Sequence, residues 1–266
     1  MDWVHEVKHR YSDKIELEWE RLLATPFTRI EYLITKYCLE KYLPTSGSIL
    51  DAGSGPGRYS IQLANQAYSV FMFDLVMDML CFGKQKAAQF GTGDPLSMTN
   101  GNLVALPYAD ASFDAVISLG APISHIPDNA LHGAVIAELA RVLKPGGILL
   151  VTGLQKMACY RGMVFWNIQE FITSSPQDSI IDGTHVWYLF SPDELQSRVR
   201  DAGLTIADTV GCQGLGCYLP LENLEIVEAD PERWPIWATL LLETCNEPSI
   251  LGISNHLLVV ARKPGN

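Results

Sequence analysis

Apolar residues along this chain fall into two alternating rhythms. Short runs at Ser48 to Ala52, Ser69 to Phe73, Phe113 to Leu119 and Ile148 to Thr152 read as buried strands. Between them lie stretches at 58–67, 77–88 and 129–143 whose apolar positions recur every three or four residues. That spacing collects apolar side chains on one face of a helix. Leu96 to Thr99 is a weaker strand. Strands that alternate with helices predict an α/β fold, a mostly parallel sheet covered on both faces.

The flanks follow other rules. Residues 1–43 read as helical, with Ile30, Leu33, Ile34, Tyr37 and Leu39 at helical spacing, until Pro44-Thr45-Ser46-Gly47 breaks the pattern. Lys144-Pro145-Gly146-Gly147 stops the helix of 129–143. Between Gly153 and Phe190 the periodicity loosens and aromatics accumulate, among them Tyr160, Phe165, Trp166, Phe171, Trp187 and Tyr188. Order returns at Ser191-Pro192-Asp193-Glu194, where serine is an N-cap and proline suits the first turn. That helix ends near Gly203, a strand follows over 204–210, a helix over 231–242 and a final strand over 257–261. The segments so defined are 1–43, 44–153, 154–190 and 191–266, the last with an insertion at about 211–254.

Composition narrows the options. A chain of 266 residues that is 48% hydrophobic buries a core without staples. Six cysteines form no CxxC pair and have no histidine pair at zinc-finger spacing, so no metal is expected. Scattered free thiols suit a reducing cytoplasm. No apolar run is long enough to predict a membrane span, and the polar start Met1-Asp2-Trp3-Val4-His5 lacks a secretory h-region. The net charge is −11 and basic residues do not cluster, which disfavours a nucleic-acid partner.

The chemistry concentrates at Ile49-Leu50-Asp51-Ala52-Gly53-Ser54-Gly55-Pro56-Gly57-Arg58. A buried strand runs into three alternating glycines and then a helix start with unpaired N–H groups. A nicotinamide dinucleotide site wants GxGxxG, but here the third glycine comes one residue early and Arg58 takes the last glycine's place. Asp51 would repel a pyrophosphate, so the implied cofactor carries an amino-acid tail. Asp74 ends the second strand about 20 residues on, the distance at which a carboxylate reaches ribose hydroxyls. Its competing reading is a helix N-cap.

In order along the chain, Ile49 to Gly57, Asp74 with Met79-Leu80, Leu106 to Val116 and Glu138 to Gly147 together resemble the class I S-adenosylmethionine-dependent methyltransferases. The subgroup is the ubiquinone/menaquinone-biosynthesis-like one, methyltransferase type 11. The resemblance implies a Rossmann-like seven-stranded sheet and S-adenosyl-L-methionine as cofactor. It implies that Asp51, Gly53, Ser54 and Gly55 cradle the methionine part, that Asp74 binds ribose and that Leu75 and Met79 flank adenine. Asn102, where the family more often has an acidic residue, should meet the adenine edge with Leu103. Leu119 and Gly120 should line the transfer site. Tyr11 and the helices of 1–43 should cover the cofactor, and 154–190 should form a substrate lid.

Methyl transfer is an in-line displacement, so the protein chiefly aligns the acceptor and excludes water. Ligands of α/β sheets sit at the carboxyl ends of strands, which brings His125 near the site as a catalytic base or as a loop-orienting residue. His185, in the aromatic segment, is a second catalytic candidate. The aromatics of 160–190 are the core of a small cap, an acceptor pocket, or both. The segment after the fourth strand lacks Asn/Asp-Pro-Pro-Tyr, a motif of many nucleic-acid amino methyltransferases. A small-molecule acceptor in the cytoplasm is expected. The rivals are an oxidoreductase, a cofactor-binding protein without turnover, and a macromolecule methyltransferase.

Overall fold

The computed structural model describes residues 2–66, 68–92, 96–166, 179–182 and 185–265. Its strands are β1 (Ser48–Ala52), β2 (Ser69–Asp74), β3 (Leu96–Asn100), β4 (Phe113–Ser118), β5 (Leu143–Leu154), β6 (Ser179–Asp182), β7 (His185–Tyr188), β8 (Thr205–Gly211) and β9 (His256–Arg262). Seven of them form one sheet in the order β3-β2-β1-β4-β5-β9-β8. β9 is antiparallel to both its neighbours, and the remaining pairs are parallel. β6 and β7 form a separate antiparallel hairpin.

The sheet is buried on both faces because apolar side chains occupy both sets of alternate positions. Leu50, Ala52, Val116, Leu149, Val151 and Val259 face one way. They pack against α6 (Asn129–Val142) and α8 (Pro192–Asp201) through Val135, Ile136, Leu139, Leu195 and Val199. Ile49, Val70, Ile117, Leu150 and Val260 face the other way. They meet α3 (Pro26–Tyr42) and α4 (Arg58–Ala64) through Ile30, Ile34, Cys38 and Leu63. Ile30 and Ile34 are fully buried, each contributing roughly 1.5–3 kcal/mol.

Helix ends follow local chemistry. Thr25 and Thr28 cap α3 reciprocally, with Pro26 at its first turn. Ser191 accepts from the Glu194 N–H at the start of α8, as the sequence predicts. Asp2 caps α1 (Trp3–Ser12), which is followed by α2 (Ile15–Arg21). α5 (Met77–Gln89) lies between β2 and β3, and α7 (Lys156–Trp166) follows β5.

Three segments differ from expectation. Residues 1–43 divide, since α3 belongs to a core layer and α1 and α2 alone reach the cavity described below. β5 begins at Leu143, directly after α6, because Leu143 pairs with Phe113 before a register shift. The insertion of 211–254 holds α9 (Leu221–Ala229), α10 (Trp234–Thr244) and α11 (Pro248–Leu251), where the sequence predicts one helix. Of the segment 154–190, α7 and the β6–β7 hairpin are described, and 167–178 with 183–184 lie outside the described residues. No helix among the described residues is long and apolar enough to cross a membrane.

Candidate functional site

Because β1, β2 and β4 run parallel, their carboxyl ends share one rim of the sheet, and a solvent-connected cavity opens there, where ligands of α/β sheets bind. The floor is the glycine turn after β1. Gly53 has φ +85°, and a Cβ there would lie 2.5 Å from Pro122 Cβ, so only glycine fits. Gly57, at φ +78°, starts α4 without a side-chain cap against the Met72 side chain.

Asp74 closes β2 and braces the turn. Its Oδ2 accepts from the Gly55 N–H at 2.7 Å, and its Oδ1 accepts from the Val76 N–H at 2.8 Å. Burial pushes its carboxyl up to about 6, against the pull of those two N–H groups. Asp74 is not the cap of α5, whose N-cap is Val76 without a side-chain hydrogen bond; its carboxylate organises the loop and lines the cavity.

Of the residues singled out in the sequence, Tyr11, Gly53, Ser54, Gly55, Asp74 and Leu75 line this cavity. So do Met79, Asn102, Leu103, Leu119 and His125. Asn102 also orders its own loop by accepting from the Val104 N–H at 3.1 Å. Asp51 stands apart. It is buried behind the cavity wall, where its Oδ2 accepts from Ser60 Oγ at 2.6 Å. Burial pushes it up to about 7, Ser60 opposes this, and the charge of Asp74 adds to it. His185 lies in β7, but its side chain falls outside what is described.

Of the roof, the sequence singled out Tyr11 and a helical cover, and the other lining residues were missed. α1 contributes Trp3, Val7 and Tyr11, and Glu18, Arg21 and Leu22 come from α2 and the residue after it. Long-range contacts fasten it. Arg58 Nε donates to the Trp19 carbonyl at 2.8 Å, its Nη2 donates to the same oxygen, and its guanidinium lies 4.1 Å from the Trp19 ring centre. Arg21 pairs with Glu18 at 2.7 Å and with buried Glu31 at 3.2 Å. Gln213 Nε2 and His256 Nδ1 lie 3.1 Å and 3.3 Å from Glu31. Burial raises the Glu31 carboxyl, but His256 and Arg21 override it and hold it at about 2. Charges on the inner face of α2 were the available signal, although nothing local tells such a face from a solvated one.

At the far wall, the loop after β4 turns through left-handed backbone at Gly120 (φ +79°) and Ala121 (φ +61°). The Ala121 N–H donates to Thr152 Oγ1 at 2.7 Å, and Thr152 Oγ1 donates to the Ser118 carbonyl at 3.1 Å. The short 3-10 turn Pro122–His125 then delivers His125 to the cavity. Arrayed together are a glycine cradle, a braced carboxylate, an apolar wall and one imidazole.

A family model described as a methyltransferase domain matches residues 49–147. The ubiquinone/menaquinone biosynthesis C-methyltransferase UbiE of Hahella chejuensis is 31% identical over 191 residues, covering 66% of this chain and 75% of that protein. A Bacillus subtilis protein described as a methyltransferase, YqeM, is 28% identical over 165 residues, 61% of this chain and 62% of its own length. Several of the curated relatives, YqeM included, are matched over less than two thirds of their own length. In fold, the chain is similar to the 1,6-didemethyltoxoflavin-N1-methyltransferase of Burkholderia thailandensis, solved with S-adenosylhomocysteine. The TM-score is 0.60 at 15% identity, with 97% of this chain and 87% of that one covered.

Proposed function

We propose that this chain, which belongs to the class I S-adenosylmethionine-dependent methyltransferase family, moves a methyl group from that cofactor to a small-molecule acceptor. The observation that carries this reading is Asp74 at the cavity rim. Gly55 N–H holds its Oδ2 and Val76 N–H its Oδ1, with the Leu75 N–H beside them, and the carboxylate's remaining lone pairs can accept from a ribose hydroxyl. The wall at Gly55 is open, since a Cβ there would meet no protein atom within 4 Å. Asp74 lines the cavity and Asp51 lies behind it, whereas the lining Glu18, Arg21 and Arg58 are engaged within the protein, which favours a ligand carrying positive charge over a diphosphate. These residues fit a sulfonium nucleoside with an amino-acid tail.

When bound, the cofactor supplies an activated methyl on a cationic sulfur. Asp74 would hold its ribose, Leu75 and Met79 would flank its base, and Asn102 with Leu103 would meet the base edge. Gly53, Ser54 and Gly55 would receive the amino-acid end, while Asp51 acts from behind through Ser60 and local charge. Leu119, Pro122 and Ile126 keep the acceptor dry and aligned, and such positioning supplies roughly 7–11 kcal/mol in favourable cases. His125 is the group placed to accept a proton. The helical roof and the net charge of −11 support a small acceptor over a phosphate polymer.

Titration calorimetry with S-adenosylhomocysteine tests the reading. The parent protein should bind it, and Asp74→Ala should weaken binding about tenfold to a hundredfold, as expected for losing hydrogen bonds to a charged group. A parent protein that binds NAD instead, or neither ligand, refutes it.

A further inference from the structure

Tyr11 and His125 lie 114 residues apart in the chain, yet they meet at the cavity wall. Tyr11 Oη is 3.0 Å from His125 Nε2, and the rings meet edge to face with centres 5.2 Å apart. The Trp187 ring of β7 packs against His125 at 4.2 Å, and the Arg10 guanidinium lies 5.3 Å over Trp187. Among the described residues, His125 is the one hydrogen-bond partner of the Tyr11 hydroxyl. If the imidazole donated, the phenolic hydrogen would lack a protein acceptor, so the phenol is assigned as donor and Nε2 as acceptor. Burial first, and the Glu18 charge second, hold the Tyr11 proton more tightly than in a free phenol. The oxygen of Tyr11 then has lone pairs alone to offer a ligand.

We propose that Tyr11 and His125 form a proton relay for an acceptor whose reacting group is a neutral, weakly acidic hydroxyl, a phenol or an enol. The proposal rests on the methyl-transfer reading. As the acceptor O–H bond breaks, its proton passes to Tyr11 Oη and the proton of Tyr11 passes to His125 Nε2. The electron pair left on the acceptor forms the new bond to the methyl carbon, and the carbon–sulfur pair leaves on sulfur as the neutral thioether. Tyr11 touches the acceptor and is the catalytic residue, whereas His125 acts through it. A single accepting oxygen matches the single hydrogen of a hydroxyl. A neutral amine attacks through its own lone pair and can shed its proton after the transfer, so it needs no relay before the bond forms. A carboxylate is already ionised, needs no relay and would face Glu18 and Asp74.

Nitrogen-15 NMR of the histidine-labelled full chain with S-adenosylhomocysteine reads the relay directly, with His125→Asn assigning the resonance. The expected result is a neutral ring protonated on Nδ1, with Tyr11→Phe moving the proton to Nε2. A parent ring already protonated on Nε2 overturns the proposal. In parallel, deuterated-methyl transfer is measured on ring-matched phenols, enols, anilines, thiols and benzoates. Phenols or enols should be methylated, and Tyr11→Phe and His125→Asn should each lower kcat at least about a hundredfold, the scale of acid–base catalysis, with KM and S-adenosylhomocysteine affinity within about twofold. Unchanged kcat in either variant, methylation confined to the other classes, or no turnover at all while S-adenosylhomocysteine still binds, overturns it. A parent protein that fails to bind S-adenosylhomocysteine overturns the cofactor reading beneath it.

Discussion

The floor and the roof of the cavity are built on opposite principles. The floor is backbone: Gly53, Gly55 and the Val76 N–H are placed by one strand, one turn and one carboxylate within about 25 residues. The roof is side chain: Arg21 reaches Glu31 ten residues on, while Arg58 holds Trp19 from 39 residues away and His125 meets Tyr11 from 114. Backbone sites tolerate almost no change in shape, whereas side-chain fastenings share their load. The two halves should therefore fail differently.

The sharpest break is at the floor. Gly53→Val places a branched side chain against Pro122 on left-handed backbone, which should abolish S-adenosylhomocysteine binding by calorimetry and cost about 1–3 kcal/mol of stability in thermal melts. A variant that binds normally would show that the turn is not the cradle. At the roof, Arg58→Ala removes the hydrogen bonds and ring contact to Trp19. Stability should fall by about 1–2 kcal/mol and affinity only severalfold, with faster hydrogen exchange confined to 3–21. Uniform exchange over the whole chain would mean that the roof is not a separate unit.

The smallest effect sharpens the electrostatic side. Asp51 and Asp74 bind protons more tightly in the folded chain than an exposed aspartate does, at about 7 and about 6. Their contribution to the unliganded protein is thus full below the ordinary aspartate pKa and is lost as pH rises through 6 and 7. A cationic ligand favours the ionised forms. S-adenosylmethionine affinity should fall about three- to tenfold from pH 8 to pH 5, and that of S-adenosylhomocysteine, which lacks the sulfonium charge, should fall less. Asp51→Asn should flatten the upper part of the curve, and equal slopes for both ligands would remove the charge argument.

This contrast also sets what the sequence could reveal. Unbroken apolar runs in β1, β4 and β5 and the capped start of α8 are local patterns, so the sheet and its glycine turn were legible. Asp51 was assigned to the cofactor from its place beside the turn, but its side chain bonds Ser60 one helix turn into α4. Glu18 and Arg21 carried no signal, because nothing near them in the chain distinguishes a cavity-facing charge from a solvated one. In 211–254 the helix read over 231–242 overlaps α10, whereas α9 and α11 span only nine and four residues, too short for a clear periodic stripe.

The place of β9 has a consequence for how the molecule comes into being. It is the last of the sheet's strands to leave the ribosome, yet it sits between β5 and β8. Glu31, made early, waits for Gln213 and His256, so its carboxylate stays without its buried partners for some tens of seconds of synthesis. A nascent chain stalled before His256 would expose an unzipped sheet while Glu31 still lacks its histidine partner.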